Sequence, residues 1–113
     1  MNTIELIAAI ERRPGMYVDP TSIQSLVFFV HGYLFARSQG GLLAESDRRF
    51  SDGFYPWLKV NHSLQDAATW GELIQQLADR EGVAAVPIFF REFKGFLAVS
   101  TTDSPTPKTF GQS

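Results

Sequence analysis

The sequence predicts an all-α fold, a compact single-domain bundle of four main helices plus a possible short helix. Apolar residues recur at helical spacing in four segments, and residues that begin or end helices flank those segments. With 113 residues, 44% of them hydrophobic, the chain is long enough to bury one modest core. The helical domain is predicted over residues 1–99, followed by a flexible C-terminal tail over 100–113, whose composition cannot bury enough surface to order itself.

The first helix is predicted to follow Asn2 and to end near Arg13. Asn2 and Glu5 have the spacing of a capping box, in which each side chain accepts a hydrogen bond from the other's backbone. The apolar stripe of this helix consists of Leu6, Ile7 and Ile10. Pro14 disfavours helical geometry at Arg13, and Gly15 can adopt positive φ, so a sharp structured turn is predicted next.

A second helix is predicted from about residue 20 to residue 38, with Asp19 as its N-cap and Pro20 at its first position. Its main apolar face contains Ile23, Leu26, Val27, Val30, Tyr33 and Leu34. A short strand is the alternative for Leu26–Val30, but the stripe continues on both sides and favours a helix. Phenylalanines make the other faces apolar too, which is typical of a central helix or of an interface. They are Phe28, Phe29 and Phe35.

Residues 39–53 mix glycine, serine and opposed charges, and they are predicted to form a loop with at most a short helical turn. An aromatic segment follows and is interrupted by Pro56. It is either a short helix beginning around Pro56 or an irregular segment packed beneath the loop. Of the chain's aromatic residues, Phe28, Phe35 and Tyr55 are the surplus that a partner or a second copy could cover.

Two further helices complete the predicted bundle. Thr69 and Glu72 have capping-box spacing, so a helix is expected from Thr69 to Gly82, with four apolar residues facing inward. These residues are Trp70, Leu73, Ile74 and Leu77. The last helix is predicted from about residue 84 or 86 to Leu97, with Pro87 in its first turn. Its stripe contains Val86, Phe89, Phe90, Phe93 and either Phe96 or Leu97.

Composition argues against several functional classes. The absence of cysteine excludes disulfide scaffolds, thiolate zinc sites and cysteine nucleophiles. Ten basic and twelve acidic residues give a net charge of −2, which argues against a nucleic-acid partner. The apolar runs are too short to span a membrane, and the first residues do not resemble a secretory signal, so a cytoplasmic protein is expected. His31 and His62 are interpreted as structural, and no metal or cofactor is expected.

One string of residues before a capped helix has a known parallel in two protein classes. It consists of Arg13, Pro14, Gly15, Met16 and Tyr17. In ATPase domains of the DNA gyrase B type, the following helix carries a glutamate base and an Asp-Asn pair. In this sequence Phe29 stands at the position of the glutamate, and Gly32-Tyr33 stands near the positions of the Asp-Asn pair. These residues can neither activate water nor hold a hard cation. An ATPase is therefore disfavoured, and a degenerate nucleotide-binding domain is a weak alternative.

The order of motifs over residues 3–97 resembles that of small bacterial immunity proteins, which are encoded beside polymorphic or contact-dependent toxins. The matching positions are Arg13 to Tyr17, Gly32-Tyr33 with Ala36, Phe54 with Trp57-Leu58, Thr69-Trp70, and Phe89-Phe90 with Phe96-Leu97. Pro87 and the length of the C-terminal tail depart from the pattern. The resemblance implies a binding protein without catalysis, which neutralises a toxin by covering its active site.

A toxin-contact surface is expected where acidic and aromatic residues lie near irregular chain. The candidates are Glu45, Asp47, Asp52, Tyr55 and Asp66. Their carboxylates would steer a toxin with a basic cleft. The motif from Arg13 to Tyr17 and Trp70 are expected to be scaffold, with Met16 and Tyr17 packed inward and the arginine on a helix-end carbonyl. A self-associating scaffold that uses the second helix as a dimer face is the alternative function.

Overall fold

The computed structural model describes residues 1–103, and within that range five α-helices and one short 3₁₀ turn are present without any strand. The helices are α1 (Thr3–Arg12), α2 (Ile23–Gln39), α3 (Glu45–His62), α4 (Trp70–Glu81) and α5 (Ala85–Asp103), and the 3₁₀ turn is Pro14–Met16. The all-α prediction is therefore confirmed. The number of main helices differs, because α3 is a full-length helix where at most a short one was predicted.

Helices α1 and α4 have the ends that their local sequence predicts. The Asn2 carboxamide oxygen accepts the N–H of Glu5, and the Glu5 carboxylate accepts the N–H of Asn2, both at 2.9 Å. The Thr69 hydroxyl accepts the N–H of Glu72 at 3.2 Å. The Glu72 carboxylate accepts the N–H of Ala68, whereas a capping box would use the N–H of Thr69. Gly82, at φ 71°, ends α4 in the left-handed region that favours glycine.

Helix α2 is confirmed as a helix, but it begins three residues later than predicted. Ser22 is its N-cap, since the Ser22 hydroxyl accepts the N–H of Ser25 at 3.0 Å. The carboxylate of Asp19 bonds instead to the N–H and hydroxyl of Thr21, at 2.9 and 2.7 Å. Asp19 thus closes a local turn ahead of the helix, and the prediction of Asp19 as N-cap was wrong.

Helix α3 is the largest correction, because it replaces most of the loop predicted over residues 39–53. The helix begins at Glu45 and continues through Gly53 and Pro56 to His62. Its buried residues recur every three or four positions, at Asp47, Phe50, Phe54 and Leu58. Burial of this narrow stripe outweighs the cost of placing Gly53 and Pro56 inside a helix. Relative to alanine, a glycine there costs about 1 kcal/mol and a proline about 3 kcal/mol.

Helix α5 extends further than predicted. It ends at Asp103, six residues beyond Leu97, so it includes the first four residues assigned to the tail. The rest of the predicted tail, 104–113, lies outside the described residues. The predicted stripe is confirmed, since its members Val86, Phe89, Phe90, Phe93 and Phe96 are all buried.

The core is dominated by aromatic side chains from α3, α4 and α5. Phe54 of α3 is fully buried at its centre. Six other rings lie with their centroids between 5.1 and 6.2 Å from that of Phe54. They belong to Phe50, Trp57, Trp70, Phe89, Phe93 and Phe96. This cluster takes seven of the chain's fifteen aromatic residues and holds the helices together.

Helix α4 approaches α2 closely at Gly71. A Cβ atom on Gly71 would lie 2.2 Å from Cγ2 of Val27, which is far inside van der Waals contact. Gly32, in the middle of α2, is different, because a Cβ atom there would meet nothing within 4 Å. One glycine is required by helix packing, and the other is not required by any contact within residues 1–103.

Replacing Gly71 with alanine is expected to lower the free energy of unfolding by about 1–3 kcal/mol, because the new methyl group overlaps Val27. Gly32→Ala is the matched control at an open helical position, where stability is expected to stay unchanged or rise by up to about 1 kcal/mol. Urea denaturation at low protein concentration measures both. Equal losses in the two variants would contradict this account of the α2–α4 contact.

Candidate protein-binding surface

The five predicted contact residues do not form one acidic surface. Glu45 and Asp52 are exposed on the outer face of α3, where they line a shallow depression together with Arg48 and Arg49. The Arg49 guanidinium lies 3.9 Å from the Glu45 carboxylate. Because this face carries two acids and two bases, it has little net charge and would not steer a basic partner.

Asp66 and Tyr55 both contact other residues of the chain, although the Asp66 side chain is still 85% exposed. The Asp66 carboxylate forms an ion pair with Lys59, and this hydrogen bond raises the pKa of the Lys59 ammonium. The Tyr55 hydroxyl donates to the carbonyl of Ala67 at 2.7 Å and accepts the N–H of Ala67 at 2.9 Å. Both contacts fasten the α3–α4 connection to α3, so Tyr55 is not a surplus aromatic residue.

Asp47 is fully buried at the junction of α1, α2 and α3. One carboxylate oxygen accepts the hydroxyl of Thr3 at 2.6 Å and its N–H at 2.7 Å. The other accepts the N–H of Ala44 at 2.8 Å and Nε of Arg37 at 2.9 Å. Asp47 cannot contact a partner, and its proposed role in toxin binding is corrected to a structural one.

The ionisation of Asp47 reflects this environment. Burial by itself would raise the pKa of the carboxyl group, since it penalises the charged form. The hydrogen bonds from Thr3, Ala44 and Arg37 act in the opposite direction and together lower the pKa to about 2. The charge on Asp47 is therefore stabilised by the fold, and in return it stabilises the fold.

The turn after α1 has the predicted sharp shape, but its side chains point differently. Met16 is 67% exposed, so the expectation that it packs inward was wrong. Tyr17 is 37% exposed, and its ring packs against Phe29 of α2 with the centroids 6.0 Å apart. The Arg13 guanidinium is also exposed, 3.7 Å from the sulfur of Met16 rather than on a helix-end carbonyl. Val18 is the buried residue that anchors this segment. Trp70 lies in the core.

Backbone hydrogen bonds explain why the turn presents these side chains outward. The N–H of Met16 bonds the carbonyl of Arg13 at 3.1 Å, and those of Tyr17 and Val18 bond the carbonyl of Pro14 at 3.0 and 2.9 Å. The turn is thus closed by its own backbone and by the burial of Val18. It needs no inward packing of the motif's longer side chains.

Beside this turn, a groove runs between α1 and α5. Its larger part has a volume of about 570 Å³ and is lined by Glu11, Pro14, Pro20, Val86, Pro87, Phe90, Arg91 and Lys94. A smaller apolar part of about 170 Å³ adds Ile4, Ile7, Ala8, Phe93 and Leu97. Glu11, Phe90 and Lys94 line both parts, so the two parts adjoin, and the Lys94 ammonium pairs with the Glu11 carboxylate at 2.7 Å. We call this the α1–α5 groove.

The arginines around the α1–α5 groove differ in whether they already have partners within the chain. Arg91 donates two hydrogen bonds to Glu81, both at 2.8 Å, which raise the pKa of its guanidinium, and a third to Glu92 at 2.9 Å. Arg12 and Arg13 are exposed, and neither forms an ion pair within residues 1–99, whose side chains the structure describes. These two arginines are therefore available to the carboxylates of a partner.

We did not predict this groove from the sequence, although the order of residues in α1 indicates an exposed apolar edge. Ile4, Ala8 and Glu11 lie at i, i+4 and i+7, which makes a second, narrower edge beside the main stripe of α1. Ile4 remains at the surface because this edge faces the groove. A secondary stripe of this kind predicts an exposed apolar edge, but not the helix that lies opposite.

Both histidine rings contact other side chains of the fold. Nε2 of His62 lies 2.5 Å from the carboxylate of the buried Glu92, and the carbonyl of His62 accepts a hydrogen bond from Arg80 at 2.9 Å. The ring of His31 is exposed and stands edge-on to Trp70, with centroids 5.9 Å apart. The C-terminal end of α3 is thus fastened to both α4 and α5.

The chain matches no protein-family model, no curated protein and no solved structure. Its function must be argued from its own residues. Among residues 1–103, no three or more His, Cys, Asp or Glu side chains are grouped so that they could hold a metal ion. In the same part of the chain, the helices are too short or too polar to cross a bilayer.

Replacing Asp47 with asparagine is expected to lower the free energy of unfolding by about 3 kcal/mol, since it removes one partner of a buried ion pair and leaves donors unsatisfied. Asp52→Asn, on the exposed face of the same helix, is the control and should change stability by less than about 0.5 kcal/mol. Urea denaturation at neutral pH distinguishes the two. A loss at Asp52 as large as that at Asp47 would refute the structural role.

The pH dependence of stability should carry the signature of Asp47. Its pKa is lowered from 3.8 to about 2 on folding, so its contribution is complete above about pH 4 and disappears as the pH falls from 4 to 2. The shift corresponds to about 2 kcal/mol. The difference in unfolding free energy between the wild type and Asp47→Asn should shrink by this amount over that range. A constant difference would contradict the lowered pKa.

Proposed function

We propose that this chain is an immunity protein, which binds a bacterial toxin and neutralises it by covering the toxin's active site. The observation that carries the proposal is the exposure of Arg13 and Met16 beside the α1–α5 groove. If the motif served only to connect two helices, its long side chains would be expected to pack against them, as Tyr17 does against Phe29 of α2. The exposure of Arg13 and Met16 leaves the identity of these two residues to be explained by a partner.

The chemistry of this surface defines what it would bind. An apolar side chain of the toxin fits the groove against Ile4 and Phe90, and a toxin carboxylate pairs with Arg12 or Arg13. Arginine and tyrosine are common hot-spot residues, and the flexible thioether of Met16 adapts to an irregular contact. The complementary partner surface is therefore apolar and acidic, whereas the sequence alone favoured acidic residues on this chain and a basic toxin.

The rigidity of the turn favours tight binding. Its backbone is closed by three hydrogen bonds and anchored by the buried Val18. Ordering a flexible loop on binding costs free energy, and a preformed turn avoids most of that cost. The proposal places the encounter with the toxin in the cytoplasm, a location that cell fractionation would test.

The proposal predicts that a gene beside this one encodes a toxin domain, and the test uses that domain. Co-expression should protect cells from the toxin, and calorimetry should detect a tight complex between the two purified proteins. The double variant Arg13→Glu, Met16→Asp should weaken binding by about 100-fold and abolish protection, because it reverses a charge and places a carboxylate at an exposed apolar contact.

A matched control is the double variant Glu45→Lys, Asp52→Lys on the outer face of α3, which should bind within about threefold of the wild type. If this control loses binding and the turn variant does not, the contact surface is α3, as the sequence first indicated, and the role of the turn is refuted. If the wild type neither binds nor protects against the neighbouring toxin, the proposed function is wrong.

A further inference from the structure

The outward face of α2 carries two exposed phenylalanines among uncharged residues. Six exposed residues fall within about 100° of its circumference at 3.6 residues per turn. They are Gln24, Phe28, His31, Gly32, Phe35 and Gln39. Phe28 is 67% exposed and Phe35 is 65% exposed. Two large apolar side chains two turns apart on one face form a patch rather than scattered surface residues.

The order of residues on this face is nearly the same when it is read in either direction. About a point midway between His31 and Gly32, Gln24 corresponds to Gln39 and Phe28 corresponds to Phe35. A two-fold axis through that point would align two copies of α2 antiparallel, with Phe28 of each copy opposite Phe35 of the other. Such an isologous contact requires a surface that is complementary to itself.

Charge distinguishes this face from the other helix surfaces. None of its six residues is an acid, a lysine or an arginine, and Arg37, the one such residue of α2, is turned away and bound to Asp47. A two-fold axis brings the same groups of both copies close together, so charges near it would repel one another. An uncharged face suits a second copy, whereas a charged partner would be recognised by opposite charges.

Gly32 and a neighbouring depression provide the required space. The position of a Cβ atom on Gly32 is open, so the chain's own packing does not require glycine there, and the gap can receive His31 of a second copy. Phe35 borders a depression of about 420 Å³ between α2 and α3, lined also by Leu34, Ser38, Leu43, Arg48, Ser51 and Asp52. It can receive Phe28 of the second copy as an anchor residue in a pocket.

We propose that the outward face of α2 is an antiparallel homodimer interface, in which Phe28 of each copy packs against Phe35 of the other. The two rings contribute roughly 250 Å² per copy, about a third of the roughly 800 Å² of a standard interface. The remainder comes from the glutamines, His31 and the rim of the depression. The dimer is therefore weak and depends on concentration, and it leaves the α1–α5 groove free because none of its residues line that groove.

Sedimentation equilibrium of the full chain up to millimolar concentration tests the proposal. The wild type should show a monomer–dimer equilibrium. Phe28→Lys and Phe35→Glu should each raise the dissociation constant by about 100-fold, because each removes two ring pairs at roughly tenfold per pair. An equimolar mixture of the two variants should dimerise again, since the introduced lysine faces the introduced glutamate and one native pair of rings remains.

The control is Val60→Lys, at an apolar residue of α3 that is 82% exposed, which should dimerise like the wild type. Thermal unfolding monitored by circular dichroism verifies that each variant is folded. A strictly monomeric wild type, a Phe28 or Phe35 variant that still dimerises, or a mixture that stays monomeric would each overturn the proposal. These results do not depend on whether a toxin is bound, so the dimer and the proposed function can fail separately.

Discussion

The buried carboxylate of Asp47 is the interaction on which the arrangement of the helices depends. Its two oxygens accept four hydrogen bonds, which come from the beginning of α1, from Arg37 of α2 and from the residue before α3. A shift of any of these helices would leave a buried donor or acceptor unpaired. Because Asp47 sets where α3 begins, it also sets which side of α3 presents Phe50 and Phe54 to the aromatic core.

The aromatic residues divide into two groups with different consequences. The rings around Phe54 are packed at distances typical of edge-to-face pairs, and with Phe54 they form a cluster of seven aromatic residues that holds α3, α4 and α5 together. Phe28, Phe35 and Tyr17 remain at the surface of the N-terminal half. The core therefore lies mainly among the three C-terminal helices, and the surfaces suited to partners lie on or beside the first two.

Sequence reasoning succeeded where local residues decide the outcome. Helices α1 and α4 were predicted with their caps, because Asn2 and Thr69 act on backbone groups three residues away. It failed for α3, since Gly53 and Pro56 are local breakers, whereas the compensating burial involves distant residues. The role of Asp47 was equally hidden, because Thr3 is 44 positions away in the chain. The outward orientation of the turn follows from the burial of Val18, which only the assembled fold shows.

Helix α3 is attached to its neighbours at both of its ends. Asp47 ties its first turn to α1 and α2, and at the other end His62 bonds to Glu92 of α5 and to Arg80 of α4. Fraying normally begins at helix termini, so a helix whose termini are both bound can open only together with its neighbours. The amide hydrogens of α3 should therefore be among the slowest to exchange with solvent, despite the proline within the helix.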